Sequence, residues 1–222
     1  MRGFREGENP ARWRRHLDHL LPRPSKVRAP EHHPSLPYSE MNAFLCRLRE
    51  RRGTAALALE LVILTAARAG EVVDMRWGEL DLVAKVWTVP ASRMKAGREH
   101  RVPLSTSAVT LLEKLPREGD YVFPGHDRPS ISHYALEKLI RHRMQSGVCT
   151  HGFRATFRTW AAERTNYPSE VAEMALAHRV GSQVENAYRR TDMFERRRRL
   201  MTDWATFCET PTCNAEVIPI RA

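Results

Sequence analysis

The stretch THGFRATFRTW, residues 150–160, sets a histidine and an arginine three positions apart where a helix should open. At about 100° per residue, Phe153, Phe157, Trp160 and Ala161 share one side and His151, Arg154 and Arg158 take the opposite one. One face is core; the other is cationic. Thr150 is the candidate N-cap, so the cationic face begins where free backbone N–H groups and the positive end of the helix dipole also point. That combination suits an anion such as phosphate.

Composition agrees with a polyanionic partner. The 222 residues hold 36 Lys+Arg against 26 Asp+Glu, a formal charge of +10, a balance that favours nucleic acid. Cys46, Cys149, Cys208 and Cys213 form no CxxC pair and no zinc-finger spacing with histidine, which points away from a metal framework or a disulfide scaffold. The N-terminus lacks an apolar signal core, and the run AALALELVILTAA is too short to span a bilayer and carries Glu60. A soluble cytoplasmic protein is expected.

The elements that must position these residues can be read from periodicity. Asn9-Pro10 is a helix-start signature and predicts a short amphipathic helix to about Leu21. Pro22, Pro24, Pro30, Pro34 and Pro37 then make an extended linker to residue 38. From Ser39 the pattern is helical, with a more buried helix over 54–66 and a short one at EVVDMRW. Alternating β-rich runs near 80–83, 86–90 and 99–103 predict a small antiparallel sheet of three strands. Helices resume with SAVTLLEKL, ISHYALEKLIRHRM, the helix after Thr150, SEVAEMALAH, a segment from Gly181 through Tyr188, and MFERRRRLMTDWATF. The arginines of the last are assigned to a solvated face. The fold class is α+β, mainly α.

Arg68 in TAARAGE, Lys95 in SRMKAGREHRVPLS, His151 and Arg154 in HGFR, His178 in LAH and Tyr188 in ENAYRR form one ordered series. This series resembles the catalytic set of the tyrosine recombinases, and the surrounding words are similar to integrases of temperate and satellite phages and genomic islands. The likeness runs from about residue 9 to 207. It implies a DNA breaking-rejoining fold, with residues 1–21 a remnant helix of a core-binding domain, 22–38 the linker, 39–207 the catalytic domain and 208–222 a tail. A chain without the other half of the DNA clamp is expected to bind DNA weakly and select sites poorly.

The resemblance also implies roles. Cleaving a phosphodiester needs a nucleophile, cations around the developing charge and a proton for the leaving oxygen. Tyr188 would attack the phosphate to give a 3′-phosphotyrosyl link, with Arg68 and Arg154 clamping its oxygens. Lys95 would protonate the 5′-oxygen, His151 would exchange the tyrosine proton, and His178 would donate to the phosphate. Glu71 either orients Arg68 or opens the next helix. The family uses no metal or other cofactor. Its partners are double-stranded attachment-site DNA, other protomers on that DNA and accessory DNA-bending proteins, in a bacterial host.

Each residue has rivals. Arg93 and Arg98 compete with Lys95, and Tyr121, Tyr134 and Tyr167 with Tyr188. His32 and His33 match family linkers rather than a metal site, and Cys149 near His151 lacks the third member of a catalytic triad. Two other functions fit the same residues: relaxation of the type IB topoisomerase kind, and a DNA-binding remnant without activity.

Overall fold

The computed structural model describes residues 9, 11–21, 33–178 and 192–211, and the chain falls into two compact units, Met1–His32 and His33–Ala222. In the first unit, the Asn9 side chain accepts the Ala11 N–H at 2.9 Å. A wider, π-type turn over Trp13–Leu17 leads into α1 (Asp18–Leu20).

The second unit opens with an extended segment and a 3-10 turn at Tyr38–Glu40, then α2 (Met41–Arg49) and α3 (Thr54–Thr65). Every residue of α3 from Ala58 to Thr65 is buried. A helix apolar all round must be enclosed, and α3 lies at the centre of the second unit with most of that unit's helices packed against it. Glu60 within it is answered by Arg49, whose Nε donates to its carboxylate at 2.7 Å. Ala66, at φ 50°, reverses the chain in the left-handed region, so that Arg68 heads α4 (Ala69–Val73).

The sheet follows, with β1 (Leu80–Asp81), β2 (Val86–Val89) and β3 (His100–Pro103) antiparallel in that order. Trp87 pairs with Val102 and Val89 with His100. Trp87, Val89 and Val102 face the core, as the alternation requires. β1 stops earlier than its sequence pattern suggests, because the Asp81 carboxylate accepts the Ala84 N–H at 2.8 Å and starts the turn.

The Ser105 hydroxyl accepts the Ala108 N–H at 3.2 Å and caps α5 (Thr106–Glu113). Then come α6 (His133–Lys138), widening over Leu139–Arg143, α7 (Gly152–Arg164), α8 (Ser169–Ala175) and α9 (Phe194–Glu209). Phe157, Trp160, Trp204 and Phe207 join α7 to α9, with ring centroids 5.0 to 6.1 Å apart. Trp204 Nε1 donates to the Ile63 carbonyl at 2.8 Å and fixes α9 on α3. Among the described residues no helix is long and apolar enough to cross a membrane.

Two local expectations are corrected. Thr150 does not cap α7: its hydroxyl and backbone N–H both go to the Glu137 carboxylate, at 2.6 and 2.9 Å. The arginine run of α9 is not wholly solvated either, since Arg197 is only 1% exposed. Arg197 shares the stripe of Leu200, Met201 and Trp204, spaced i, i+3, i+4, i+7. Its guanidinium is satisfied there by the Arg101 carbonyl at 2.6 Å and the Asp192 carboxylate at 2.7 Å. The segment expected from Gly181 through Tyr188 lies outside the described residues.

Candidate active site

Arg68 stands at the head of α4 in extended conformation, φ −74° and ψ 143°. Glu71, one turn on and itself buried, accepts the Arg68 backbone N–H at 3.0 Å and its Nη1 at 2.7 Å. One carboxylate thus holds both the helix start and the guanidinium, the orienting role for which Glu71 is a candidate. The Arg68 side chain keeps 27% of its surface exposed.

Arg154 departs from the amphipathic picture, because it is 4% exposed rather than part of an open cationic face. The guanidinium survives burial by binding main-chain carbonyls. Nη1 donates to Ala66 O at 2.5 Å and Nη2 to Leu176 O at 2.6 Å. Those carbonyls belong to the turn that presents Arg68 and to the end of α8. Arg154 therefore staples together two segments remote in sequence. Its Nε is buried and has no hydrogen-bond partner among the described residues. Burial, then the charge of Arg68, lowers its pKa to about 10, so it stays cationic at neutral pH.

His178 follows Ala177, which turns at φ 52°. Its Nδ1 meets the Glu173 carboxylate at 2.6 Å and its Nε2 meets Arg154 Nη2 at 3.3 Å. The carboxylate selects the Nδ1–H tautomer of the neutral ring and leaves Nε2 as an acceptor; Nε2 donates only in the imidazolium. Burial opposes ionisation of Glu173, but hydrogen bonds from His178 and Arg158 outweigh it and hold its carboxyl below the ordinary range. Sequence reasoning missed Glu173 and the pairing role of Arg158. The one available signal was an acid a turn and a half before His178.

His151 immediately precedes α7 and is exposed on one side. Burial first, then the charges of Arg154, His33, Arg68 and His178, push its pKa below the usual histidine value. The shift favours the free base. His33 lies against it, ring centroids 4.7 Å apart and edge-on at 60°.

Lys95 is exposed in the turn between β2 and β3, where Gly97 takes φ 64°. Its rival Arg93 is committed elsewhere, bound to the Glu79 carboxylate and to the carbonyls of Glu71 and Asp74 at 3.1 and 2.7 Å. Those bonds anchor the base of the hairpin to α4, beside Arg68, while its tip is exposed. Arg98 is exposed on the same turn.

The structure therefore brings Arg68, His151, Arg154 and His178 into one cluster and sets Lys95 on a loop anchored at its edge. Tyr188 lies outside the described residues. Of its rivals, Tyr167 donates to Asp203 at 2.7 Å, and burial with that bond pushes its phenol up to about 12, the wrong direction for a nucleophile. Tyr121 is held by Arg76 Nη2 at 3.0 Å, and Tyr134 is exposed on α6. Among the described residues no group of three or more His, Cys, Asp and Glu side chains stands close enough to hold a metal ion.

The chain is similar to known proteins over most of its length. The model of the phage integrase family matches residues 36–195. Prophage integrase IntZ of Escherichia coli K12 is 38% identical over 187 residues, 81% of this chain and 46% of that protein. The integrase of Enterobacteria phage P4 is 33% identical over 195 residues, 78% of this chain and 44% of its own length. The chain thus spans about half the length of these curated relatives. Among solved structures, the integrase from mycobacterium phage Brujita superposes with a TM-score of 0.59 at 22% identity, over 84% of this chain and 63% of that one. A lambda integrase dimer bound to a COC′ core site gives 0.52 at 19% identity, over 75% and 50%.

Proposed function

The chain belongs to the phage integrase family of tyrosine recombinases, and from that premise we propose that it performs site-specific recombination of mobile DNA, with Arg68, Lys95, His151, Arg154, His178 and Tyr188 as its catalytic residues. The Tyr188 phenolic oxygen attacks the scissile phosphorus as its proton passes to neutral His151. The P–O5′ bond breaks, Lys95 gives the leaving oxygen its proton, and a 3′-phosphotyrosyl link and a 5′-hydroxyl result. Attack by a 5′-hydroxyl from another strand reverses each transfer, so the bond energy is conserved and no nucleotide hydrolysis is needed.

The single observation that carries this reading is the Arg154 staple, which gathers Arg68, His151 and His178 around one guanidinium. Cations fixed before the phosphorane forms stabilise it without reorganisation. Arg68 offers its exposed edge to a non-bridging oxygen. Glu173 on Nδ1 and Arg154 on Nε2 hold the His178 ring in the cluster, where it serves the same phosphate. Double-stranded attachment sites are the substrate. Self-association on that DNA draws support from the lambda integrase relative, described as a dimer on its core site.

A nicked suicide duplex tests the proposal, because loss of the short product strand traps the adduct. Wild type should form a covalent 3′-adduct and Tyr188→Phe none. Adduct in neither would leave a DNA-binding remnant. Relaxation of plasmid DNA without any recombinant product would instead favour topoisomerase-like activity.

A further inference from the structure

Residues 33–37, which the sequence assigns to a proline linker, are strapped across the start of α7. The Cys149 N–H and thiol both point at the Pro34 carbonyl, at 3.4 and 3.8 Å. The Thr156 hydroxyl donates to the Leu36 carbonyl at 2.6 Å, and the Leu36 side chain is buried in the core. Gly152 is the closest approach: a Cβ there would fall on the Pro34 carbonyl oxygen. Backbone packed this tightly needs glycine. Within the strap, the His33 ring meets the His151 ring edge-on, centroids 4.7 Å apart.

We infer that His33 is a positioning residue for His151, a wall held by the strap that fixes the imidazole in the orientation that receives the tyrosine proton. The inference rests on the acid/base reading of His151 given above. The need for such a wall follows from what else surrounds that ring. His178 has Glu173 to set its orientation and tautomer. Among the described residues, the groups that bear on the charge of His151 are Arg154 on α7, Arg68 at the head of α4, His178 beyond α8, and His33 itself. All are cations or imidazoles. With burial, which weighs most, they push its pKa down, but none is a carboxylate that could anchor its N–H. A ring contact supplies the constraint without a negative charge, which would make the ring a weaker acid when the proton is returned.

The test uses the full chain and the nicked suicide duplex, with His33→Ala and His33→Phe. In single turnover at neutral pH, His33→Ala should form adduct about tenfold more slowly or worse, with DNA affinity unchanged, since misplacing a catalytic group costs rate rather than binding. The deficit should narrow as pH approaches ~9.5, where solvent takes over deprotonation of the phenol; a loss of fold would not be mended this way. His33→Phe, which keeps a ring edge, should recover most of the rate. In parallel, the His151 ring-proton NMR signals should move in His33→Ala as they leave the neighbouring ring current, a readout independent of cleavage. Wild-type rate in His33→Ala, a deficit constant with pH, His33→Phe no better than alanine, or unmoved His151 signals would each overturn the inference while the recombinase reading stood. Wild type forming no adduct would overturn the reading itself and the inference with it.

Discussion

At the scale of single residues, the site is governed by which groups are charged and what fixes them. His151 loses solvent and sits among cations, so its pKa lies below the usual value near ~6.5. The free base therefore persists to lower pH than for an ordinary histidine. Single-turnover cleavage should hold from neutral pH down past ~6.5 and fall only as His151 gains a proton. A His151→Gln variant should lose that acidic limb along with most of its rate. Glu71 is argued to act through Arg68, by gripping both its backbone and its guanidinium. Glu71→Gln keeps the shape but sets an amide NH2 against one of the two Arg68 donors, so cleavage should drop by about tenfold, with a loss of about 1–3 kcal/mol in unfolding free energy. Equal rates in a quench-flow comparison would show that Glu71 only starts the helix. The identities of these residues were legible as an ordered series. Their environment was not: nothing local to HGFR says that Arg154 would be buried against carbonyls from two other segments.

At the scale of elements, periodicity was a good guide wherever one face of an element is core. The three strands, the enclosed α3 and the aromatic face of α7 all follow from it. It was a poor guide where a polar side chain is buried with its partners. Arg197 lies inside because its helical stripe demands it, and the Arg101 and Asp192 groups that satisfy it come from outside α9. Arg197→Ala should cost about 3 kcal/mol by chemical denaturation, since it leaves a cavity and unpaired carbonyls; exposed Arg196→Ala should change stability by less than about 0.5 kcal/mol. The prolines of the linker argued for a spacer, yet Pro34 and Leu36 dock on α7 through backbone groups that composition does not reveal. Gly152→Ala should therefore cost about 1–3 kcal/mol, even though alanine is the better helix former. A variant as stable as wild type in the same denaturation would show that the strap is not docked in solution.

At the scale of the whole molecule, a formal charge of +10 and a cluster of fixed cations describe a surface for a polyanion. Binding to duplex DNA should weaken by about a hundredfold or more between roughly 50 and 200 mM salt, as counterion release requires. Salt-independent binding would point to a different partner. The central claim is narrower: Arg68 and Arg154, far apart in sequence, act on the same phosphate. The direct measurement is a double-mutant cycle on adduct formation with Arg68→Lys, Arg154→Lys and both, each first checked for native folding. Groups that work as a unit are strongly non-additive. Each single variant should lose about a hundredfold or more in rate, because a lysine cannot reproduce the planar two-pronged contact, and the double variant should be little worse than the poorer single. Losses that multiply in full, or a single variant that cleaves at the wild-type rate, would mean that the two guanidinium groups serve separate ends and would contradict the account.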